Sequence, residues 1–461
     1  MTTHCIDVKP DDITVLMGIA AVLEGGLAPF SGDCEHGCKR FWVEKWLRSA
    51  DSFTWALNVP APGDYEVRLQ VAGQGAEVEI AGPGGSVSLP VNGGWDRLTA
   101  GVMKMPGGSC ALTARAPRPG TDLKLLSVEL LPVGARSALE ESARKLRSST
   151  QWMVEARYGL QFHWTSQSQP RHGPKKPYAQ AVADFDVSAF AQTVAGTGAG
   201  YVIVTTSHAE HYFPAPIRAI DAIMPGRTTE RDLPADLADA LGRYGIKLML
   251  YYHMGHDHWQ EPDGWWKRVG FDPVRPSRFL DNWCAIHEEI GGRYGRKLAG
   301  WFFDDGCVYY PLSPSFEQLT RAAKTGNPKR VVCYNPWILP RVTDFQDYFC
   351  GEGYDFLKTT EHLPEGGSGI FTGGPQQGLQ AHTNFTLEKD WLWCHSQPET
   401  PIAAPWLDKD TFVRDMQNAI RRGIVPSVNL EIYQDGAMSP QSLEWLRAVR
   451  AAVKGSATGR A

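Results

Sequence analysis

The sequence offers little to a membrane, to nucleic acid or to a nucleotide cofactor. No apolar run approaches the roughly 20 residues that cross a bilayer. The opening stretch, "MTTHCIDVKPDDITVLMGIAAVL", carries acids where a secretory signal would carry basic groups. A cytoplasmic chain with no membrane partner is therefore the expectation. With a formal net charge of -5 there is no basic excess, and nucleic acid is not expected as a partner. Cysteine is sparse and odd in number: nine residues, most of them single in apolar surroundings such as "GWFFDDGCVYY" and "VVCYNPW". That pattern predicts reduced thiols rather than a disulfide framework. Cys34 and Cys38 in "GDCEHGCKRFW" are spaced for a bridge or a shared metal, but no second cysteine pair lies near them.

Aromatic side chains, by contrast, are plentiful: 16 Trp, 15 Tyr and 18 Phe, many beside His, Asp or Asn. Aromatic faces stack on the apolar face of sugar rings while polar neighbours take the hydroxyls, which points towards carbohydrate; the competing account is a Trp-rich core. Residues 1–135 are rich in Gly and Pro and contain short alternating runs ("FTWALNVP", "DYEVRLQVAG", "AEVEIAG", "LKLLSVELLPV") broken by "APGD", "GPGG" and "NGG". Period-two alternation between tight turns predicts an antiparallel β-sandwich, of carbohydrate-binding type or serving to cover a flank of the next domain. Residues 136–157 read as a helical linker.

From residue 158 to 455 the pattern changes. Apolar runs ("YGLQFHW", "GAGYVIVTTSH", "GIKLMLYYH", "LAGWFFDD", "RVVCYNPW", "DYFCGE", "GIVPSVNL") alternate with helical segments such as "DLPADLADALGRYG" and "DNWCAIHEEIGGRYGR". Continuous hydrophobic strands separated by helices imply a parallel sheet buried on both faces. Seven or eight units over some 300 residues, with no Gly-rich phosphate fingerprint after any strand, predict an α/β fold of the (β/α)8 barrel type.

Chemistry in such a barrel lies at the carboxyl ends of the strands. Collected there are His163 and Trp164; His208, Glu210 and His211; Tyr251, Tyr252 and His253; Asp304 and Asp305; Asn335 and Trp337; Glu352; Asn429 and Glu431. Two carboxylates on separate strands among His, Trp and Tyr are what glycoside hydrolysis requires. Asp304 or Asp305 is placed to be the ionised acid near the anomeric carbon. Glu352, with Glu361 behind it, is placed to hold the proton. "HMGHDHW" and "HAEH" also supply zinc-ligand types, yet neither has two histidines at helical spacing around a glutamate, and no metal or other cofactor is expected.

The order of these motifs resembles the α-L-fucosidases of glycoside hydrolase family 29 over roughly residues 155–453. "YGLQFHW" resembles "FGIFIHWG", "GYVIVTTSHAEHYF" resembles "YVVLTAKHHDGF", and "GIKLMLYYHMGHDHW" is similar to "GLKFGLYYS" followed by "DW". "GWFFDDG" looks like "WFDG" or "WNDMG", "NFTLEKDWLW" resembles "TMTLNDSWGY", and "VNLEIYQDGAMSPQSLEWLRAV" follows "NVGPxxDGxIPxxxxxxLxxIG". The resemblance implies a retaining exo-α-L-fucosidase with Asp304 as nucleophile and Glu352 as acid/base. It makes His163 and His208 contacts to sugar hydroxyls. Trp164, His211, Tyr252 and Asp305 join them around the ring, with Trp301 and Trp337 as stacking walls. With the "WFDG" form of the motif the nucleophile moves to Asp305. The "WE" pair that carries the acid/base in other members falls here on His382, which closes that route.

Three departures bear on the substrate: Ala209 replaces the second histidine of "KHHDGF", Glu210 and His211 replace its Asp-Gly, and Pro336 stands where an arginine is expected. The same barrel turned to another sugar, or a non-catalytic carbohydrate-binding protein, is the alternative. The partner is an oligosaccharide or glycoside in each case, and a homo-oligomer is left open.

Overall fold

A computed structural model describes residues 5–28, 32–33, 39–40, 42–208, 210–254, 264–272, 277–304, 315–335, 340–359, 362–364, 366–394 and 399–455. The N-terminal part is sheet-rich and of sandwich type. Its strands Ser52–Val59, Gly63–Gly82, Gly85–Met105, Gly108–Arg115 and Asp122–Pro132 pair antiparallel. Burial alternates along Ser52–Val59, which places Phe53, Trp55, Leu57 and Val59 in a core of their own. Met17, Trp42 and Leu126 leave that core and join the barrel's, with the Trp42 and Trp95 rings 5.3 Å apart.

The catalytic part is the (β/α)8 barrel that the strand grammar predicts. Its strands are β1 (Gly159–Phe162), β2 (Tyr201–Thr205), β3 (Lys247–Tyr252), β4 (Leu298–Phe303), β5 (Val331–Tyr334), β6 (Gly351–Glu352), β7 (His382–Thr386) and β8 (Val425–Asn429). Every ladder is parallel and the order around the sheet is β5-β4-β3-β2-β1-β8-β7-β6. The seam between β5 and β6 is held by Asp347, whose backbone N–H donates to Val332 O at 2.8 Å and whose Oδ2 accepts from Val332 N at 2.8 Å.

Alternation along each strand divides the apolar side chains into two cores. Tyr201, Ile203, Met249, Tyr251, Phe302, Val331, Cys333 and Cys350 fill the barrel. Leu160, Phe162, Val202, Leu250, Tyr252, Trp301, Phe303 and Val428 lie outside it, under the helices. Close packing inside needs glycine at Gly159 and Gly300: a Cβ on Gly300 would lie 2.6 Å from the Met249 side chain, and one on Gly159 2.2 Å from the Tyr201 ring, which crosses to hydrogen-bond Ser427 Oγ at 2.7 Å. The surrounding helices begin where the sequence supplies caps. Asp186, Asp232, Ser315 and Asp408 each accept from a backbone N–H in the first turn. Among the described residues no helix is long and apolar enough to cross a membrane.

Candidate active site

Period two also decides which strand-end residues meet. On β4 the inward set is Gly300, Phe302 and then Asp304, so the Asp304 carboxylate emerges at the barrel mouth above the Phe302 ring. Its Oδ2 accepts from the Tyr251 hydroxyl at 2.6 Å and its Oδ1 from Asn335 Nδ2 at 2.8 Å. The same Asn335 nitrogen donates to Glu352 Oε2 at 2.9 Å. Two oxygens sharing one donor nitrogen at these lengths lie less than about 6 Å apart. Glu352 is the more exposed of the two and stands on the open side of the cleft.

Around this pair stand three histidines. The His163 ring lies 5.4 Å from His208 and 4.9 Å from Tyr251, and His208 lies 5.8 Å from His253. His163 Nδ1 donates to Asn429 Oδ1 at 2.7 Å; Asn429 is oriented by its own Nδ2 donating to Trp391 O at 3.0 Å. Burial pushes the His163 pKa down to about 4, opposed by the Asn429 hydrogen bond and helped by His253. The ring is therefore neutral above pH 5. With the proton on Nδ1, Nε2 carries the lone pair and can accept from a sugar hydroxyl. The Trp391 ring, 5.6 Å from His163, closes this side. Below, the floor is shut by buried Tyr251, Phe302, Cys333, Tyr348 and Cys350, with Cys350 Sγ bonded to Asn384 Oδ1 at 3.2 Å.

Residues 177–449 match the family described as Alpha-L-fucosidase, well over half of the chain. The chain belongs to the α-L-fucosidase family. It is a glycoside hydrolase, and the barrel mouth just described is the candidate active site of this family member. Solved structures similar to it include an α-L-fucosidase from Lactobacillus casei in complex with its α-L-fucose product. That match has 19% identity and a TM-score of 0.47, covering 67% of this chain and 98% of that one. They also include a family 29 α-L-fucosidase from Bacteroides thetaiotaomicron, at 16% identity and a TM-score of 0.49 over 67% and 74% of the two chains. A comparison with curated proteins finds no match.

Within this fucosidase-family barrel, four expected sugar contacts turn out to face the other way. Trp164 follows the outward set of β1: its Nε1 donates to Gln434 O at 3.1 Å and its ring packs on Tyr178 and Phe185. Tyr252, next to inward Tyr251, points outward and bonds His211 Nε2 at 2.7 Å. His211 itself is stacked on Trp265, 3.7 Å between centroids. Trp301 donates from Nε1 to Ala323 O at 3.0 Å and stacks on Phe303, under the helix Phe316–Ala323. All four are core residues rather than ring contacts: for Trp164, Tyr252 and Trp301 a one-residue shift along the strand direction moves the side chain to the opposite face, and His211, in the loop after β2, is buried between Tyr252 and Trp265.

The structure brings together Asp304, Glu352, His163 and His208, as the motifs suggest. It gives partners to Tyr251, Asn335 and Asn429, which were collected as strand-end residues without a role, and it adds Trp391 of the "NFTLEKDWLW" motif. Asp305, Trp337 and Glu361 lie outside the described residues, as do Ala209, Pro336, Cys34, Cys38 and the 256–258 histidine cluster. His382 is a buried barrel residue bonded to Ser427 Oγ at 2.8 Å, and burial lowers its pKa to about 3. Among the described residues no three His, Cys, Asp or Glu side chains converge to hold a metal ion.

Proposed function

We propose that this enzyme removes terminal α-L-fucosyl residues with retention of configuration. The observation that carries the reading is the single Asn335 nitrogen that holds Asp304 and Glu352 together. Asp304, receiving hydrogen bonds at both oxygens, is the nucleophile that attacks the anomeric carbon. Glu352 gives its proton to the departing glycosidic oxygen, and the aglycone leaves on the exposed side. Water then enters the same space, gives a proton to Glu352 and displaces Asp304 from the covalent glycosyl-enzyme, so two inversions restore the configuration. His163 and His208 hold ring hydroxyls, and Trp391 flanks the sugar. The closed floor supports exo action, since a sugar chain cannot extend past Tyr251 and Phe302.

The test is steady-state hydrolysis of an aryl α-L-fucoside by the wild type and Asp304→Ala. Loss of turnover in the variant, restored by azide with formation of a fucosyl azide, is expected. Methanolysis should give the methyl α-L-fucoside; a β product at early times would sink the retaining mechanism. A panel of other aryl glycosides checks the substitutions at Ala209 and Pro336, because a pocket missing a hydroxyl partner changes which sugar it accepts.

A further inference from the structure

The other end of the barrel holds a second cavity, of about 580 Å3, where β2 and β3 begin. Three cations line it, Arg157, Lys247 and Arg450, against one carboxylate, Glu155. Glu155 is exposed and accepts from Gln151 Nε2 at 3.3 Å. None of the three cations takes part in an ion pair among the described residues. Helix-end compensation explains part of Arg450, whose Nη1 donates to Ala195 O and Gly196 O at the end of the helix Val187–Thr197. Arg157 likewise closes the helix Gln151–Ala156, its N–H donating to Met153 O at 3.1 Å and Val154 O at 3.0 Å, so a helix end accounts for its place in the chain but not for Lys247. Lys247 is exposed, with its Nζ 5.5 Å from the Trp152 ring centroid.

Arg157 is the more telling residue. Its backbone sits at φ 71°, ψ -55°, and Tyr158 N donates to Ala156 O at 2.9 Å, a tight γ-turn of positive φ that a side-chain-bearing residue rarely adopts. Strain of this kind persists where the surroundings enforce it, and it collects at binding sites. The cavity wall is also bare of side chains where glycine is required. A Cβ on Gly200 would lie 2.6 Å from Ala156, and one on Gly198 2.7 Å from Arg450.

We infer that this cavity binds a small phosphate ester, and that its size and lining suit a phosphorylated sugar. Three cations facing one carboxylate match a dianionic phosphoryl group, with two guanidinium groups able to engage it bidentately. The volume exceeds that of the oxyanion alone. The remaining wall is the Trp152 and Tyr244 rings, Tyr244 being 52% exposed, which suits the apolar face of a sugar. The site lies across the barrel from Asp304 and Glu352 and is independent of the catalytic reading.

Calorimetric titration of the full chain with glucose 6-phosphate, glucose and inorganic phosphate tests this. One saturable site for glucose 6-phosphate that weakens as salt rises, no binding of glucose and weaker binding of inorganic phosphate are expected. Lys247→Ala and Arg157→Gly should each weaken the ester by about tenfold or more, with turnover of an aryl α-L-fucoside unchanged. Arg157→Gly should at the same time raise the unfolding midpoint without ligand, because glycine accepts the positive φ. Silence at millimolar glucose 6-phosphate, or wild-type affinity in both variants, overturns the site. Equal affinity for inorganic phosphate overturns the sugar part.

Discussion

Asp304 and Glu352, 48 positions apart in sequence, accept hydrogen bonds from the same atom, Asn335 Nδ2, at 2.8 and 2.9 Å. An amide with two N–H groups directed at two carboxylates fixes their separation without adding charge. Asn335→Ala should therefore lower kcat by about 100-fold, the range for losing one positioned polar group, and change KM little. Steady-state kinetics on an aryl α-L-fucoside decide it; a kcat within threefold of wild type would make the bridge incidental.

Neighbouring tyrosines should behave as opposites. Tyr251→Phe removes the 2.6 Å hydrogen bond to Asp304 and should reduce kcat/KM by about tenfold. Tyr252→Phe removes the hydroxyl that meets His211 Nε2 at 2.7 Å and Met254 Sδ at 4.0 Å in the outer core, so kinetics should hold while stability falls by about 1 kcal/mol. Urea unfolding of both variants, beside their kinetics, separates the two faces of β3.

A buried pair of acids should make stability depend on pH. Glu388 Oε2 accepts from Glu431 N at 3.1 Å, and Glu431 Oε1 accepts from Asp390 N at 2.9 Å. Burial first raises each to about 7, and the Glu431 charge also raises Glu388. The folded state therefore keeps protons that the unfolded chain releases near pH 4.3. Their contribution is lost as pH rises from about 4.5 to 7, on the order of 3 kcal/mol for each acid. His163, His211, His287 and His382, lowered chiefly by burial, act in the other sense, gaining stability as pH rises towards 6.5. The clean measurement is the difference between wild type and Glu388→Gln/Glu431→Gln across that window. A difference that does not change with pH would refute the assignment.

Asp347 should be among the most sensitive positions outside the site. It accepts from Lys324 Nζ at 2.9 Å, Ser148 N at 2.6 Å and Val332 N at 2.8 Å, and both it and Lys324 are buried. Burial raises the aspartate and lowers the lysine even against their mutual attraction. Asp347→Ala leaves a buried ammonium unpaired and opens the β5–β6 seam, so a loss of about 3–5 kcal/mol is expected. Chemical denaturation measures it, and Lys324→Met in the same chain should recover part of the loss.

Much of the fold was legible because burial on both faces of a parallel sheet leaves a plain trace: apolar runs such as "GYVIVT" and "GIKLMLYY" between capped helices. The catalytic acids were legible for a related reason, since "FFDD" and "FCGE" end apolar runs in carboxylates. Facing was not. The aromatic character of Trp164, Tyr252 and Trp301 suggested sugar contacts, but a strand buried on both sides carries large apolar residues inward and outward alike, so residue type does not tell the two sides apart.

Sequence alone determined the barrel, the domain order and the strands that carry Asp304 and Glu352, because these follow from local pattern and spacing. Only the tertiary structure decided that Asn335 joins the two acids, that Tyr251 and not Tyr252 meets Asp304, and that Asn429 sets the His163 tautomer. Those pairings unite strands dozens to hundreds of residues apart. Their register comes from barrel closure and side-chain packing, which no single segment encodes.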